Sequence, residues 1–129
     1  MVTVLLADDD VHVRKYLDAL IADLGYNAIP VATCEEAIAR LADSKVDIII
    51  ADILLPDCPG PLEWEQQLVR AAQGRPLILI AGDTSEEVVA AGSSKEVMAL
   101  LTKPFELSFV RDLLKQAESL LADSEGTDA

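Results

Sequence analysis

The segment Val2-Thr3-Val4-Leu5-Leu6-Ala7-Asp8-Asp9-Asp10 decides how the rest of the chain is read. An apolar run with no polar alternation beyond Thr3 ends in three acids. Such a run is the pattern of a strand covered on both faces, as in a parallel sheet. The arrangement recurs twice: Ile48–Ala51 runs into Asp52, and Met98–Thr102 runs into Lys103-Pro104. In an open parallel sheet, ligands bind in the crevice at the carboxyl ends of the strands. Three runs therefore direct carboxylates and one lysine toward a single edge.

Helical patterns separate the strands. Val13, Leu17, Leu20 and Leu24 share one helix face, which Gly25 ends. Asn27–Val31 contains Pro30, which cannot donate to a ladder, so this segment reads as an edge strand. Thr33 and Glu36 form a capping-box signature for a helix through about Ala42. Val46–Ala51 is the third strand, followed by the loop Leu55-Pro56-Asp57-Cys58-Pro59-Gly60 and a helix from Leu62 to Gln73 that Gly74 stops. Pro76–Ala81 is the fourth strand. Thr84-Ser85-Glu86-Glu87 opens a helix expected to be short or irregular. Met98–Thr102 is the fifth strand, and Glu106 to about Leu121 is an amphipathic helix whose inner face carries Val110, Leu113, Leu114, Ala117 and Leu121. Five strand–helix units without repeat or linker predict a single doubly wound α/β domain over 1–121. Residues 122–129 read as an acidic disordered tail.

The 129 residues suit one hydrophobic core. A net charge of −13, with ten Lys and Arg, repels nucleic-acid backbones and anionic membranes, so neither is an expected partner. No apolar run approaches the roughly 20 residues of a membrane span. With a strand from Val2, no signal or transit peptide is expected, and the predicted location is cytoplasmic. Cys34 and Cys58 lack CxxC spacing and neighbouring ligands, so they are expected as unpaired structural thiols in a reducing compartment.

The chemistry lies at the strand ends. Asp8, Asp9 and Asp52 would crowd carboxylates together, and two like charges ~4 Å apart repel by roughly 4 kcal/mol at an intermediate dielectric. One acid must stay protonated or a cation must sit among them. Oxygen ligands, few and open to water, suit Mg²⁺. Mg²⁺ and Lys103 together would neutralise a phosphoryl group while a carboxylate attacks phosphorus in line.

From Val2 to Leu121 the chain resembles the receiver domains of two-component response regulators. The resemblance rests on Asp8-Asp9 after the first strand, Arg14 five residues on, Asp52-Ile53-Leu54-Leu55-Pro56 as a D-x-x-x-P segment, and Lys103-Pro104-Phe105 after the fifth strand. It implies a flavodoxin-like fold with strand order 2-1-3-4-5 and five helices. It also implies Asp52 as phosphoacceptor, with Lys103 binding phosphoryl oxygens and its bond to Pro104 cis. Mg²⁺ would be held by Asp9, Asp52 and the backbone carbonyl of Leu54, with Asp8 acting through water. The donor would be a histidine kinase or histidine phosphotransfer protein, and the output an unspecified protein. Such a domain is not a turnover enzyme.

The chain departs from the family at the positions that report phosphorylation. Ala81 stands where the family has Ser or Thr, and Leu100 where it commonly has Tyr or Phe. Gly82 keeps the adjacent small residue, and Thr84 could replace the hydroxyl only if its loop curled back. Pro59-Gly60 replaces an Asp-Gly turn, and Ser93–Val97 lacks the usual Gly-Ala pair. The expectation is phosphorylation at Asp52 coupled weakly, or differently, to the face of the fourth helix, fifth strand and fifth helix. Asp10 reads as the cap of the first helix, His12 as a solvated helix residue, and Trp64 as half-buried packing. A phosphorylation-independent binding module is the alternative function. An aspartate-nucleophile phosphatase built on Asp8 and Asp10 would need a cap region and more length. Nothing resembling an output domain follows Leu121, so a stand-alone receiver or the N-terminal piece of a longer protein is expected.

Overall fold

The computed structural model describes residues 1–43 and 45–128, with side chains through Ala122. Its elements are β1 (Thr3–Ala7), α1 (Val11–Asp23), β2 (Asn27–Val31), α2 (Cys34–Leu41), β3 (Ile48–Asp52), α3 (Pro61–Ala72), β4 (Leu77–Ala81), α4 (Glu86–Gly92), β5 (Ala99–Thr102) and α5 (Leu107–Asp128). The five strands form one parallel sheet in the order β2-β1-β3-β4-β5. Strand β2, which carries Pro30, lies at an edge, where a missing N–H costs no ladder bond.

Alternation along each strand assigns its side chains to two separate cores. Leu5, Ala7, Ile49, Ala51, Leu77, Leu79 and Ala81 face α2, α3 and α4, meeting Ala37, Trp64, Leu68 and Val88. Val4, Leu6, Ile48, Ile50, Ile78, Ile80 and Leu101 face α1 and α5, meeting Leu17, Ile21, Val110 and Leu114. Both faces of the central strands are thus dry, which explains their unbroken apolar runs. Polar chemistry is confined to the ends of the sheet.

Local signals set the helix ends. Asp10 caps α1, its side chain accepting from the amides of His12 (2.9 Å) and Val13 (3.3 Å). Thr33 Oγ1 accepts from Glu36 N at 3.1 Å and caps α2, while Glu36 Oε1 accepts from Thr33 Oγ1 rather than from its amide, so only the first half of the capping box forms. At the end of α3, Gln73 (φ 49°) and Gly74 (φ 84°) both adopt left-handed backbone, so the stop begins one residue before the glycine. Arg75 then ties three segments together, donating to the carbonyls of Leu41, Val46, Ala71 and Ala72 at 2.8–3.1 Å.

Two expectations require correction. The helical backbone of α5 continues to Asp128, into the stretch read as a disordered tail over 122–129. Ala122-Asp123-Ser124-Glu125 contains no helix stop, and the first glycine is Gly126. Ala129 lies outside the described residues. Cys34 and Cys58 are joined in a disulfide rather than standing as separate thiols, their Cα atoms 5.7 Å apart. The fold makes this contact by bringing the loop after β3 over the first turn of α2. A separation of 24 residues carries no local signature of that meeting. Closing a loop of this length stabilises a chain by ~3 kcal/mol in the chain-entropy model.

Candidate functional site

The carboxyl edge of the sheet gathers the predicted acids and lysine. Asp8 follows β1, and its amide donates to Val31 O at 3.1 Å, extending the ladder by one residue. This places its side chain in the sheet end, where it is fully buried. Asp8 Oδ1 accepts from Asp10 N at 2.8 Å. Asp52 closes β3 and is 5% exposed. Its Oδ1 accepts from Leu54 N at 2.8 Å, and its Oδ2 accepts from Lys103 Nζ at 2.9 Å. Lys103 follows β5, anchored by its own amide to Ala81 O at 2.8 Å, with a cis bond to Pro104. Its ammonium also lies 3.3 Å from Asp8 Oδ2.

Asp8, Asp9 and Asp52 each offer a carboxylate oxygen within 4.8 Å of the others. Asp9 is exposed, so the cluster opens to solvent on its side. Three carboxylates against one ammonium leave an excess of two negative charges. Asp8 Oδ2 is buried without a hydrogen-bond partner despite its approach to Lys103. An orphaned, electron-rich oxygen in an all-oxygen acidic set fits a hard divalent cation.

Burial pushes the Asp8 carboxyl above its ordinary value. The Asp10 amide works against that rise, and repulsion from Asp52 adds to it. Burial pulls the Lys103 ammonium down, but the hydrogen bond and charge of Asp52, with Asp8, outweigh it and leave Lys103 raised. Lys103 is the only positive charge paired with these acids among the described residues, and its pull on Asp8 is too small to offset burial.

Ala81 and Leu100, where the resemblance implies a hydroxyl and an aromatic ring, supply neither in the folded chain. Ala81 is buried at the end of β4 and has no hydroxyl to offer. Thr84 is exposed in the turn that Asp83 Oδ1 forms by accepting from Ser85 N at 3.0 Å. It makes no hydrogen bond to the site among the described residues. Leu100 is half-buried against the α4 side of the sheet. A Cβ at Gly92 would lie 2.7 Å from Leu100 Cδ2, so glycine is what lets α4 lie this close to β5. His12 is exposed, and with Val13, Tyr16, Lys103, Phe105 and Leu107 it lines a groove of about 740 Å³ beside the site.

Two contributors escaped sequence reasoning. Trp64, expected to be half-buried, is fully buried, and its indole N–H donates to the Asp52 carbonyl at 3.0 Å. That bond holds the main chain of the acid beneath its side chain. A tryptophan one turn into a helix after the acidic strand gave no signal of this role. Asp57 is the other, directing its oxygens to the amides of Cys34 (2.7 Å) and Glu35 (3.1 Å). It thereby fixes the loop after β3 to the start of α2.

Comparison with known proteins agrees with this geometry. A family model described as response regulator receiver domain matches residues 4–115. The response regulator receiver protein CpdR of Brucella abortus is 25% identical over 121 residues, covering 94% of this chain and 98% of CpdR. The transcriptional regulatory protein GlrR of Escherichia coli is 27% identical over 126 residues, covering 96% of this chain and 27% of GlrR. The chain thus spans about a quarter of GlrR, and about half of other transcriptional regulators that it matches. A CheY-like receiver domain protein from Methanospirillum hungatei shares the fold with a TM-score of 0.78 at 25% identity, covering 98% of each chain.

The raised Asp8 carboxyl has a direct consequence for stability. A folded-state value above the unfolded one penalises the native state once pH rises past the ordinary carboxylate value. Asp8→Asn should therefore raise the melting temperature of the cation-free protein at pH 7 by roughly 3–5 °C, the response to ~1 kcal/mol in a domain of this size. The gain should vanish below about pH 4, where Asp8 is protonated in both states. Thermal scans across pH in a chelating buffer check both halves. Trp64→Phe removes a buried donor from Asp52 O and should cost ~1–3 kcal/mol by urea denaturation.

Proposed function

The chain belongs to the response regulator receiver domain family, and from that premise we propose that it takes a phosphoryl group from a phosphohistidine donor onto Asp52. The observation that carries the reading is the pairing of Lys103 Nζ with Asp52 Oδ2 at 2.9 Å within an acid cluster. It joins a nucleophilic carboxylate to the charge that would receive the incoming phosphoryl oxygens. In the reaction a carboxylate oxygen of Asp52 forms the new bond to phosphorus as the donor's N–P bond breaks. The product is an acyl phosphate, and the electron pair of the broken bond returns to the imidazole nitrogen.

Each local contact serves that step. The Leu54 amide fixes one oxygen of Asp52, which limits rotation and leaves the other facing Lys103. The Trp64 indole fixes the main chain below. Lys103 would exchange Asp52 Oδ2 for the phosphoryl oxygens on a flexible stem that keeps its charge at the site. Asp9, Asp52 and the Leu54 carbonyl would hold Mg²⁺, with Asp8 behind them through water, and the buried, unpartnered Asp8 Oδ2 supports that assignment. Bound there, Mg²⁺ would offset the negative charge that the donor phosphate brings into an acidic site.

The groove between α1 and the segment after β5 borders Lys103 and suits a histidine kinase or histidine phosphotransfer protein as donor. Output is through contact with another protein, in a cytoplasmic setting. The domain is not a turnover enzyme, since its product is its own modified aspartate.

Ala81 and Leu100 favour a second reading, a receiver that binds its partner without phosphorylation. A hydrogen bond to a charged group is worth ~1.5–3 kcal/mol, so its absence at Ala81 weakens the active-state bias by roughly 10- to 100-fold. Intact-mass spectrometry after incubation with Mg²⁺ and a small-molecule phosphodonor separates the readings. Wild type should gain one phosphoryl group and Asp52→Asn none, whereas no adduct in either would favour the constitutive module. Ala81→Thr should enlarge the phosphorylation-dependent change at the α4-β5-α5 face, measured by amide hydrogen exchange. An equal response in variant and wild type would count against a weakened switch.

A further inference from the structure

Cys34 and Cys58 lie outside the acid cluster but share its loop. Cys34 opens α2 and is 6% exposed, while Cys58 sits half-buried between β3 and α3. Their Cα separation of 5.7 Å is the one most disulfides have, so the backbone needs no movement to bridge them. A surface depression of about 470 Å³, lined by Cys34, Glu35, Ile38, Asp57, Pro59 and Gln67, opens on the Cys34 side of the pair. Both sulfurs and an Asp57 oxygen cluster closely enough to suggest a metal set. Asp57, however, already spends its oxygens on the amides of Cys34 and Glu35, which leaves two sulfurs and favours a disulfide.

The loop links this pair to the phosphoacceptor. It leaves β3 at Asp52, whose Oδ1 is held by Leu54 N, and turns at Leu55, whose carbonyl accepts from Cys58 N at 3.1 Å. A bond at Cys58 therefore fixes the far end of the short segment that presents Leu54. We propose that Cys34 and Cys58 form a reversible redox site that sets the order of this loop and, through it, the affinity of the acid cluster for a divalent cation. The second half rests on the phosphoacceptor reading above, which assigns the Leu54 carbonyl to the cation. The co-reactant is a low-molecular-weight disulfide. One cysteine thiolate attacks it and displaces a small thiol, and the second cysteine attacks the protein sulfur of the mixed disulfide and displaces the other. Two cysteine thiols are oxidised, the small disulfide is reduced to two thiols, and a dithiol reverses the exchange. In reducing compartments, pairs of this kind are characteristically transient and sensing. When oxidised, the loop is ordered before the cation arrives; when reduced, it must be ordered on binding.

The test uses the full chain equilibrated in glutathione buffers of graded redox poise, then alkylated and weighed intact. Both thiols should appear together in one two-electron transition. Amide hydrogen exchange over residues 54–60 should be faster in the reduced form without any cation. Calorimetric titration should show Mg²⁺ binding roughly 3- to 10-fold weaker on reduction, the effect of ordering one or two more side chains. Cys58→Ser, which keeps the core thiol of Cys34, and Cys34→Ser with Cys58→Ser should each behave as reduced in every buffer. Identical exchange and Mg²⁺ affinity in the two oxidation states would overturn the proposal, as would stoichiometric zinc retained by two reactive thiols. Redox-dependent exchange with no phosphoryl acceptance in either state would support the redox site and count against the phosphoacceptor reading alone. Normal acceptance with redox-independent exchange would do the reverse.

Discussion

The contact between Lys103 and Asp52, 2.9 Å long, holds together a site that electrostatics would otherwise drive apart. Asp8, Asp9 and Asp52 converge because three strand ends converge, and no side chain among the described residues besides Lys103 brings a positive charge to them. A carboxylate as buried as Asp8 is costly in charged form, and its raised carboxyl records that cost. The same excess of negative charge is what fits the edge to a hard cation. Structure and chemistry here have one origin.

That origin is the sheet. Its central strands are covered on both faces, by α2, α3 and α4 on one side and α1 and α5 on the other. Polar side chains with work to do can lie only where strands end. The supports follow the same logic from below: Trp64 reaches out of the core to the Asp52 carbonyl, and Leu54 returns its amide to the Asp52 side chain. Asp52 is thus gripped at main chain and side chain by residues on either side of one short loop. The far end of that loop is tied to α2 by Asp57 and by the disulfide.

At the signalling positions the packing tells a different story from the chemistry. Ala81 removes a hydroxyl without disturbing the sheet, since the β4–β5 pairing runs through Ala81 opposite Thr102. Leu100 fills its place by packing against Gly92, where even a methyl group would collide. The face is therefore well packed in the state described, while the parts that would report phosphate are missing.

Local patterns in the chain encode the parallel sheet, the edge position of β2, the caps at Asp10 and Thr33, and the convergence of Asp8, Asp9, Asp52 and Lys103. Each follows from local rules: strand runs, a proline without its N–H, capping side chains, and the rule that strands present their ends to ligand. Meetings between residues distant in sequence come from packing instead. Trp64 beneath Asp52, Asp57 on the first turn of α2, and Cys34 against Cys58 depend on how far each helix reaches over the sheet edge. No periodicity encodes that distance. The length of α5 is the opposite case: an acidic composition suggests disorder, yet nothing in the chain stops a helix before Gly126. Local patterns fix what each segment is, and packing fixes which segments touch.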